Sequence, residues 1–312
     1  MSNRPVVAVV GSANADLVVQ VDRLPHRGET IQGSDLAMFP GGKGANQAAA
    51  AARSGGEVWF CGCLGADGSG ELLQSSLVAA GVRIDGVQIV SRPTGTALIL
   101  LSPDGENSIV VSPGANHAIS VEVADEMSEF WLGADVVVLN LEIPFDTVRH
   151  VIRQASAAGV RVLLNAAPAR PLPADLLRDC DPLVVNQHEA RIVLDDPTIP
   201  ADATFEVLAD ALLTAGAKSA VITLGSTGSI LADAAGQLIQ PAYRVDTVDT
   251  TGAGDAFVGA VAAELAAGRT LREAVGYATA MSAVSVQRMG AQSSYADRQD
   301  VLDFMASHSP RA

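Results

Sequence analysis

Hydrophobic and polar positions form two different patterns along this chain. Val6–Val10 is β-branched and bounded by Gly11, which predicts a buried strand. Short apolar clusters then recur without helices between them, and they predict a small separate sheet formed from about residues 16–40 and 93–112. Its predicted strands are Leu17–Val21, Thr30–Phe39, Thr94–Ser102 and Ser108–Ser112.

The rest of the chain alternates between strand patterns and helical patterns. This alternation predicts a parallel sheet covered by helices on both faces. The predicted strands are Asp135–Leu141, Val160–Leu164, Leu183–Val185 and Ser219–Leu224, followed by a hairpin over Ser229–Val245. The predicted helices are Ala45–Ser54, Ser69–Ala80, Asp146–Ala158, Glu189–Asp195, Thr204–Ala215, Asp255–Ala267, Leu271–Arg288 and Arg298–Ala306.

Length and charge narrow the class of protein. At 312 residues and 48% hydrophobic content, the chain is long enough for one large α/β domain that carries the small sheet as an insertion. Its 20 basic and 35 acidic residues argue against a general nucleic-acid surface and against docking on anionic membranes. An anionic ligand would therefore need backbone donors, a metal or a few placed basic groups.

The cysteines and the apolar runs indicate the compartment. Cys61, Cys63 and Cys180 form no even framework, and free thiols in a reducing compartment are expected. The N-terminus is typical of a first strand and not of a signal peptide. No stretch is apolar for the roughly 20 residues that a membrane span needs. We therefore predict a cytoplasmic protein.

Several well-known motifs fail at particular positions. The Gly42-Lys43-Gly44 run lacks the P-loop pattern, because Ala37 and Gly44 occupy the places for Gly and Ser/Thr. The dinucleotide fingerprint fails because its third glycine is Phe257. The zincin and hydrolase patterns do not occur either. P-loop, dinucleotide-dependent dehydrogenase, zincin and hydrolase functions are disfavoured.

Residues 249–257, DTTGAGDAF, place two glycines before an apolar helical run. Amides at a helix N-terminus carry a partial positive charge that suits a phosphate or a developing oxyanion. Asp255 could then accept a proton from a substrate hydroxyl beside that anion, as phosphoryl transfer to an alcohol requires. The motif alone leaves an equal alternative, in which Asp255 caps the helix after a glycine turn.

Four further stretches carry polar groups. Residues 39–47, FPGGKGANQ, offer a glycine-rich helix start for sugar hydroxyls, or a plain turn with a solvated lysine. Asn14 and Asp16 suit two adjacent hydroxyls, or cap a turn. Residues 186–189, NQHE, include an acid suited to hydrated Mg²⁺, or a helix start, and residues 223–228, TLGSTG, form a nucleotide loop or a hairpin turn. Four of the five stretches follow predicted strands, which predicts one composite site.

With these stretches in view, the sequence resembles the phosphofructokinase-B type family of carbohydrate kinases, and within it the ribokinase branch, over essentially its whole length. The motifs that carry the resemblance are GSANAD (11–16), GGKGANQA (41–48), LNLE (139–142), NQHEA (186–190), TLGSTG (223–228), DTTGAGDAF (249–257) and RMGAQSS (288–294). The resemblance implies a three-layer α/β/α core with a mostly parallel central sheet plus a small β-sheet lid. It also implies ATP-dependent phosphorylation of D-ribose at O5, with Mg²⁺ and K⁺, in a homodimer paired through the lid sheets.

The resemblance also implies a role for individual residues. Asp255 would be the general base, with Gly252, Ala253 and Gly254 as the anion hole. The sugar would be held by Asn14, Asp16, Gly42, Lys43, Gly44, Asn46, Glu142 and Asp255. ATP would be bound by Asn186, Thr223, Gly225, Ser226, Gly228, Gly254 and Thr279. Glu189 would organise Mg²⁺ through water, and the monovalent cation would be held, partly by carbonyls, at Asp249, Thr251, Ser285, Arg288, Gly290 and Ser294.

Two positions depart from the family pattern, and three other functions stay open. Ala166 stands where the family commonly has proline, and Thr279 stands where relatives often carry Asn or His, which leaves a nucleotide contact in doubt. A kinase for another small sugar or nucleoside (2-deoxyribose, fructose, pseudouridine) is the nearest alternative. A non-catalytic sugar-sensing protein on the same scaffold is a second. A nicotinamide-dependent oxidoreductase is a third, which the missing third glycine disfavours.

Overall fold

The computed structural model describes residues 5–103 and 107–311. Its strands are β1 (Val6–Val10), β2 (Asn14–Gln20), β3 (Ala37–Gly41), β4 (Glu57–Gly65), β5 (Val87–Val90), β6 (Gly95–Leu101), β7 (Asn107–Ser112), β8 (Val136–Leu139), β9 (Arg161–Asn165), β10 (Leu183–Asn186), β11 (Ala220–Thr223), β12 (Gly228–Asp233) and β13 (Gly236–Pro241). Its helices are α1 (Lys43–Arg53), α2 (Gly68–Ala79), α3 (Val121–Glu126), α4 (Ser128–Leu132), α5 (Phe145–Ala157), α6 (Ala174–Leu177), α7 (Gln187–Leu194), α8 (Phe205–Thr214), α9 (Ala253–Ala266), α10 (Leu271–Ser285) and α11 (Arg298–Ser307).

The central sheet has nine strands in the order β13-β12-β11-β10-β9-β8-β1-β4-β5. Neighbouring strands from β11 to β5 pair in parallel. Only β12 and β13 run antiparallel, as the hairpin that the sequence predicts between residues 229 and 245. The mostly parallel sheet is therefore confirmed.

Helices cover both faces of this sheet, and β1 shows why. Val7 and Val9 point into a core shared with α1, α9 and α10, whereas Ala8 and Val10 point into a core shared with α5, α7 and α8. Successive strand side chains face opposite sides, so a run of small apolar residues fills both layers. The three-layer α/β/α architecture is confirmed.

The second sheet has four strands in the order β3-β2-β6-β7. Strand β2 pairs in parallel with β6 and antiparallel with β3, and β7 pairs antiparallel with β6. These strands come from the two segments that the sequence assigns to a small sheet, and residues 104–106 of the second segment lie outside the described residues. Because β2 starts just after β1, this sheet lies beside the end of the central sheet.

The sequence patterns misplace one strand and miss several elements. Thr30–Phe39 was expected to be a strand, but only Ala37–Gly41 forms one, and residues 30–36 have no regular structure. In that stretch Gly33 packs against the side chain of Val19. The Ser34 amide donates to the Gln20 carbonyl and the Ser34 hydroxyl accepts the Gln20 amide, so the bonding to β2 is local and forms no ladder. Strands β4 and β5 and helices α3 and α4 were not predicted, because short or glycine-containing buried segments carry little periodicity.

Helices α1 and α9 pack unusually closely against each other. Helix α1 contributes buried alanines, Ala48–Ala51, to the contact. Helix α9 contributes Gly259, where a Cβ atom would overlap the carbonyl oxygen of Gln47 and lie 2.7 Å from the Ala50 Cβ. Only small residues allow two helix backbones to come this near.

We predict that Gly259→Ala destabilises the protein by ~1–3 kcal/mol, because the added methyl group meets backbone atoms in a closed core. Intrinsic helix propensity alone would give the opposite sign, since Ala is favoured over Gly by about 1 kcal/mol. Gly276→Ala in α10 is the matched control, because its Cβ would meet nothing nearer than 3.8 Å. It should stabilise by ~0.5–1 kcal/mol. Urea unfolding measures both, and equal changes in the two variants would contradict the close helix contact.

Candidate active site

The predicted ligand stretches converge at the carboxyl ends of the parallel strands. Residues that follow β1, β8, β9, β10 and β11 lie along this edge, and the N-termini of α1 and α9 meet there. Open parallel sheets bind ligands at this edge, because loops and helix N-termini project from it. The structure thus brings together stretches that are up to 241 residues apart, since Asn14 and Asp255 belong to the same group.

Asp255 lies in the first turn of α9 and is 8% exposed. Its Oδ2 accepts a hydrogen bond from Asn46 Nδ2 at 3.0 Å, and its Oδ1 accepts one from Gln47 Nε2 at 3.1 Å. The cap position of α9 is Gly252, with no side-chain cap bond. Asp255 therefore does not cap its helix, and its carboxylate is directed at α1.

The turn before α9 has the geometry of a helix-start loop. Gly252 has φ 74°, and a Cβ atom there would lie 2.6 Å from the Tyr295 hydroxyl, which itself donates to the Gly252 carbonyl. The amide of Ala253 donates to the Thr250 carbonyl at 3.2 Å within the turn. A Cβ atom on Gly254 would meet nothing within 4 Å, so this part of the loop borders open space. The start of α9 is therefore accessible to a ligand, and its partial positive charge suits an anion.

The residues expected to bind sugar on the small sheet are held by a buried asparagine. Asn116 donates through Nδ2 to Asn14 Oδ1 at 2.7 Å, and its own Oδ1 accepts the Ala13 amide at 2.9 Å. With its oxygen occupied in this way, Asn14 presents its amide donors elsewhere. Asp16 lies two residues further along β2 and packs directly over Gly41, where a side chain would overlap the carboxylate.

Glu142 ties the start of α1 to the end of β8. Its Oε2 accepts the Ser12 hydroxyl at 2.5 Å and the Lys43 amide at 3.1 Å. The Ser12 hydroxyl also accepts the Gly44 amide at 3.3 Å. At Gly42, with φ 87°, a Cβ atom would lie 2.6 Å from the Asn14 amide, so the glycine is required where the two sheets meet.

In this site, carboxylates outnumber cationic side chains. Burial, together with the nearby carboxylates of Glu142 and Asp255, raises the pKa of Asp16 from 3.8 to about 7. The pKa of Lys43 is also raised, chiefly by Asp255 and to a lesser extent by Glu142 and Glu189, although burial opposes this. Several carboxylates around one lysine offer many acceptors, which suits a neutral ligand rich in hydroxyl groups.

A cavity of about 260 Å³ lies on the other side of the α9 N-terminus. Apolar residues and hydroxyl-bearing residues form its walls together with Arg311, and Gly254 is one of the residues that line it. Thr279 lines it, but its hydroxyl donates to the Val275 carbonyl within α10 at 2.8 Å. The expected nucleotide residues that line it are Thr223, Gly225, Ser226, Gly228, Gly254 and Thr279.

Asn186 and Glu189 lie next to this cavity and form the capping box of α7. The Asn186 Oδ1 accepts the Glu189 amide at 2.8 Å, and the Glu189 Oε2 accepts the Asn186 amide at 2.7 Å. Asn186 lines a neighbouring depression, which it shares with His188 and Thr223. The structure thus places Glu189 as a helix-start acid, whose negative charge contributes to the raised pKa of Lys43.

The residues expected to hold a monovalent cation cluster around Asp249. Its Oδ1 accepts the Thr251 amide and hydroxyl at 2.9 and 2.7 Å, and its Oδ2 accepts the Gly290 amide at 2.8 Å. Partial burial raises the pKa of Asp249, but these hydrogen bonds outweigh it and lower the pKa. The Ser285 and Ser294 hydroxyls donate to backbone carbonyls nearby in sequence, and Arg288 is exposed.

The chemistry of these donors decides which ions fit. Among residues 5–103 and 107–311 there is no group of three or more His, Cys, Asp or Glu side chains suited to a metal ion. Mg²⁺ often keeps several waters and takes substrate phosphates as ligands, so the single carboxylate of Glu189 is compatible with it. The loop around Asp249 offers a carboxylate and a hydroxyl group, and oxygen ligands of this kind are compatible with a hard cation.

Four buried or half-buried polar residues of the site were not assigned a role from the sequence. They are Ser12, Gln47, Asn116 and Gln292. Three of them stand inside the motifs GSANAD, GGKGANQA and RMGAQSS, where a polar residue among small ones was the available signal. Asn116 follows the last strand of the small sheet in the run Gly114–Asn116, which carries the same signal.

The buried carboxylate of Asp255 lies beside a helix N-terminus, between the residues that could bind a sugar and the cavity. This arrangement suits phosphoryl transfer to an alcohol. The fold and the site thus define a small-molecule kinase. The chain belongs to the pfkB family of carbohydrate kinases, which matches residues 5–298.

Its relatives within that family include ribokinases. The chain is 39% identical over 298 residues to the ribokinase of Schizosaccharomyces pombe, covering 92% of this chain and 94% of the relative. The structure of Thermotoga maritima ribokinase matches with a TM-score of 0.89 at 36% identity, over 96% of this chain and 99% of that one. The Arabidopsis thaliana ribokinase complexed with ribose and ATP matches with a TM-score of 0.88 at 37% identity, over 97% and 99%.

We predict that Asp16→Asn stabilises the ligand-free protein at pH 8 and not at pH 4. Between about pH 4 and 7 the folded chain keeps the Asp16 proton while the unfolded chain loses it, so its stability falls as the pH rises. The neutral side chain of Asn at position 16 removes this loss of stability. After discounting for partial exposure, the gain at pH 8 is ~1–2 kcal/mol, or roughly 2–3 °C in melting temperature.

Thermal unfolding from pH 4 to 8 measures this effect. The control is Asp22→Asn, which removes the same charge at an exposed position just beyond β2. A stability difference that does not depend on pH, or an equal effect in the control, would contradict the buried, proton-holding state of Asp16.

Proposed function

We propose that this protein transfers the γ-phosphoryl group of ATP to O5 of D-ribose, giving ribose 5-phosphate and ADP. The observation that carries the proposal is the position of Asp255, a buried carboxylate held by Asn46 and Gln47 at the accessible start of α9. The full-length similarity to ribokinases supports ribose as the sugar.

The chemistry follows from the order of groups across the site. The carboxylate of Asp255 accepts the proton of the 5-hydroxyl as the bond from O5 to the γ-phosphorus forms and the bond to the β,γ-bridging oxygen breaks. The leaving group is ADP. The loop of Gly252, Ala253 and Gly254 faces the charge that develops on the phosphoryl oxygens, and the N-terminus of α9 stabilises it.

Acceptors and donors around the base explain why a sugar binds beside so many acids. Asp16 and Glu142 offer carboxylate oxygens to hydroxyl groups, and Asn14 offers amide donors because Asn116 occupies its oxygen. Lys43 and Asn46 complete the set from the start of α1. A neutral hydroxyl-bearing ligand does not oppose these negative charges as an anion would.

Ions complete the proposed reaction. Glu189 would hold hydrated Mg²⁺, which supplies charge neutralisation on the transferred phosphates. The loop around Asp249, with Thr251, Gly290 and Ser294, would hold K⁺ next to the start of α9. These residues also stabilise the turn by hydrogen bonds of their own, so the cation would reinforce an existing loop.

We further propose that the chain acts as one kinase domain whose small sheet is a lid over the sugar. A lid that excludes water limits transfer of the phosphoryl group to water in place of the sugar.

The three free cysteines are buried, and burial raises the pKa of the Cys61 thiol to about 12 and that of Cys63 to about 11. Unreactive free thiols are consistent with a reducing compartment, and we propose the cytoplasm. Among the described residues, helices are too short or too polar to cross a bilayer.

The lid sheets would also pair two copies of the chain. One row across all four strands consists of Met38, Leu17, Leu98 and Val110, on the face opposite Asp16. Leu98 is 50% exposed and Val110 is 62% exposed. Exposed apolar rows of this kind mark association surfaces, and the row supports a homodimer.

We predict that Asp255→Asn folds and binds ribose but loses ~10²–10⁴-fold in turnover, because the amide cannot accept the proton. A coupled ADP-release assay with Mg²⁺ measures turnover, and calorimetric titration measures ribose binding. The exposed Asp85→Asn is the matched control. Near-normal turnover of Asp255→Asn would overturn the mechanism.

The same assay tests the substrate and the ions. Wild-type protein is compared on ribose, 2-deoxyribose, fructose, adenosine and pseudouridine, with and without K⁺ and after removal of divalent ions by a chelator. Ribose should be the best substrate, K⁺ should raise turnover, and the chelator should abolish it. Preference for another sugar or nucleoside would replace ribose, and absence of ADP with every compound would favour a sugar-sensing protein.

We predict that Val110→Glu converts a dimer to a monomer, because a charge on the exposed edge strand of the apolar row cannot be buried without a partner. Light scattering after size exclusion, at several concentrations, measures the mass. Val207→Glu in α8 is the control, since Val207 is 48% exposed on the core domain, outside the lid strands. A monomeric wild-type protein, or a dimeric Val110→Glu variant, would refute pairing through the lids.

A further inference from the structure

Gln47 is fully buried early in α1, and the sugar-binding set above does not include it. Its Nε2 donates two hydrogen bonds, to Asp255 Oδ1 at 3.1 Å and to Asn165 Oδ1 at 3.0 Å. It thus connects the carboxylate on α9 to the end of strand β9. Its complete burial places it behind Asp255, away from the open side of the site.

A chain of amides fixes which end of Gln47 faces Asp255. The carbonyl of Val184 on β10 can only accept, and Asn165 Nδ2 donates to it at 3.2 Å. The Oδ1 of Asn165 therefore faces Gln47, and Gln47 must present its Nε2. The rigid backbone of the central sheet thus dictates a donor at Asp255 Oδ1, through two side-chain amides.

This arrangement leaves one polar atom of Gln47 without a hydrogen-bond partner. The Oε1 of Gln47 is buried and has no hydrogen-bond partner among the described residues. A buried acceptor without a donor destabilises a fold, so the amide has a cost at this position that an apolar side chain would not have. That cost is offset by the two hydrogen bonds from its Nε2, and one of them goes directly to the carboxylate of Asp255.

The two oxygens of Asp255 are held from both sides. Asn46 donates to Oδ2, and Asn46 Oδ1 in turn accepts Gln292 Nε2 at 3.1 Å. Each carboxylate oxygen has a further lone pair, which is available to the substrate hydroxyl. Asn46 is also expected to contact the sugar, whereas Gln47 is committed to Asp255.

We propose that Gln47 is a positioning residue for the phosphoryl transfer, whose amide holds the carboxylate of Asp255 in one orientation. The inference rests on the proposed function, because it gives a role to the base of that reaction. A donor to the charged form of a carboxylate favours ionisation, so its loss disfavours the form that accepts a proton. Orientation of the base adds to this, because small misplacements reduce rates strongly.

The test is Gln47→Met, which keeps length and removes both polar atoms. We expect turnover at pH 7 to fall about 10–100-fold while KM for ribose changes by less than about threefold, because the base and not sugar binding is affected. The acid limb of the pH–rate profile should move up by about one pH unit. The melting temperature should fall somewhat, because Asn165 Oδ1 and Asp255 Oδ1 each lose a donor, although the unpartnered Gln47 Oε1 is removed as well.

Two further variants make the result specific. Gln74→Met in α2 is the matched control, since Gln74 donates to the Gly70 carbonyl of its own helix and should leave activity unchanged. Gln47→Glu has the native shape, and its carboxylate beside Asp255 should move the acid limb further than Gln47→Met does. It also serves as the test variant if Gln47→Met does not fold.

The outcomes separate this inference from the proposed function. An unshifted pH profile in an active Gln47→Met or Gln47→Glu variant, or a loss of stability with no change in the profile, would overturn the role of Gln47 alone. Carbon NMR of the Asp255 carboxyl, assigned with Asp255→Asn, gives a readout without turnover. Titration of that carbon at higher pH in Gln47→Met supports the inference, and identical titration overturns it, whichever sugar the wild type accepts.

Discussion

The close approach of α1 and α9 is the constraint on which the rest of the site depends. The two helices start from different loops, and each starts after a glycine with positive φ, Gly42 and Gly252. Gly259 and the alanines of α1 bring their axes together, so Asn46 and Gln47 reach the carboxylate of Asp255. A wider spacing would separate donor and acceptor beyond hydrogen-bond distance. Packing in the core therefore sets the geometry of the chemistry at the edge.

The acidity of the site follows from the same arrangement. A base for a hydroxyl group must be ionised and yet shielded from water, and here two side-chain amides donate to the carboxylate of Asp255 while Lys43 lies near enough to interact with its charge. Asp16 lacks such donors in the described contacts, and its pKa is raised to about 7. Asp249 accepts three hydrogen bonds, and its pKa is lowered. The pKa values of Asp16 and Asp249 thus move in opposite directions, because burial and neighbouring carboxylates dominate at Asp16 and hydrogen bonds outweigh burial at Asp249.

Much of the fold could be predicted from the sequence, because the spacing of apolar residues indicates the helices and strands and the turn residues indicate where they end. Helices such as Asp146–Ala158 show an amphipathic pattern, and the hairpin near residue 235 shows turn residues. Strand β4 was missed, since its run of buried residues is interrupted by glycine and has no alternation. The pattern of Thr30–Phe39 predicts a strand, but Gly33 only packs against Val19 and Ser34 alone bonds to Gln20, which does not make a regular ladder.

The site residues were predictable wherever a motif also had a chemical reason, as in Asp255 beside a glycine turn. Gln47 and Asn116 were not, because their role depends on partners 208 and 102 residues away. No local pattern contains that information. Glu189 shows the opposite difficulty, since its sequence context allowed two readings and the structure realises the helix-capping one in the ligand-free chain.

The two halves of the site differ in how far they are organised before ligands bind. In the sugar half, Asn14, Glu142 and Asp255 already accept hydrogen bonds from neighbouring residues, so their orientations are set in advance. In the nucleotide half, the hydroxyls of Thr223, Thr279 and Ser282 line the cavity but already donate to backbone carbonyls. Preorganised groups lose little freedom on binding, whereas walls whose hydroxyls are bonded to the backbone give shape with few free donors. Recognition is therefore expected to be stricter for the hydroxyl-bearing acceptor than for the base of the nucleotide.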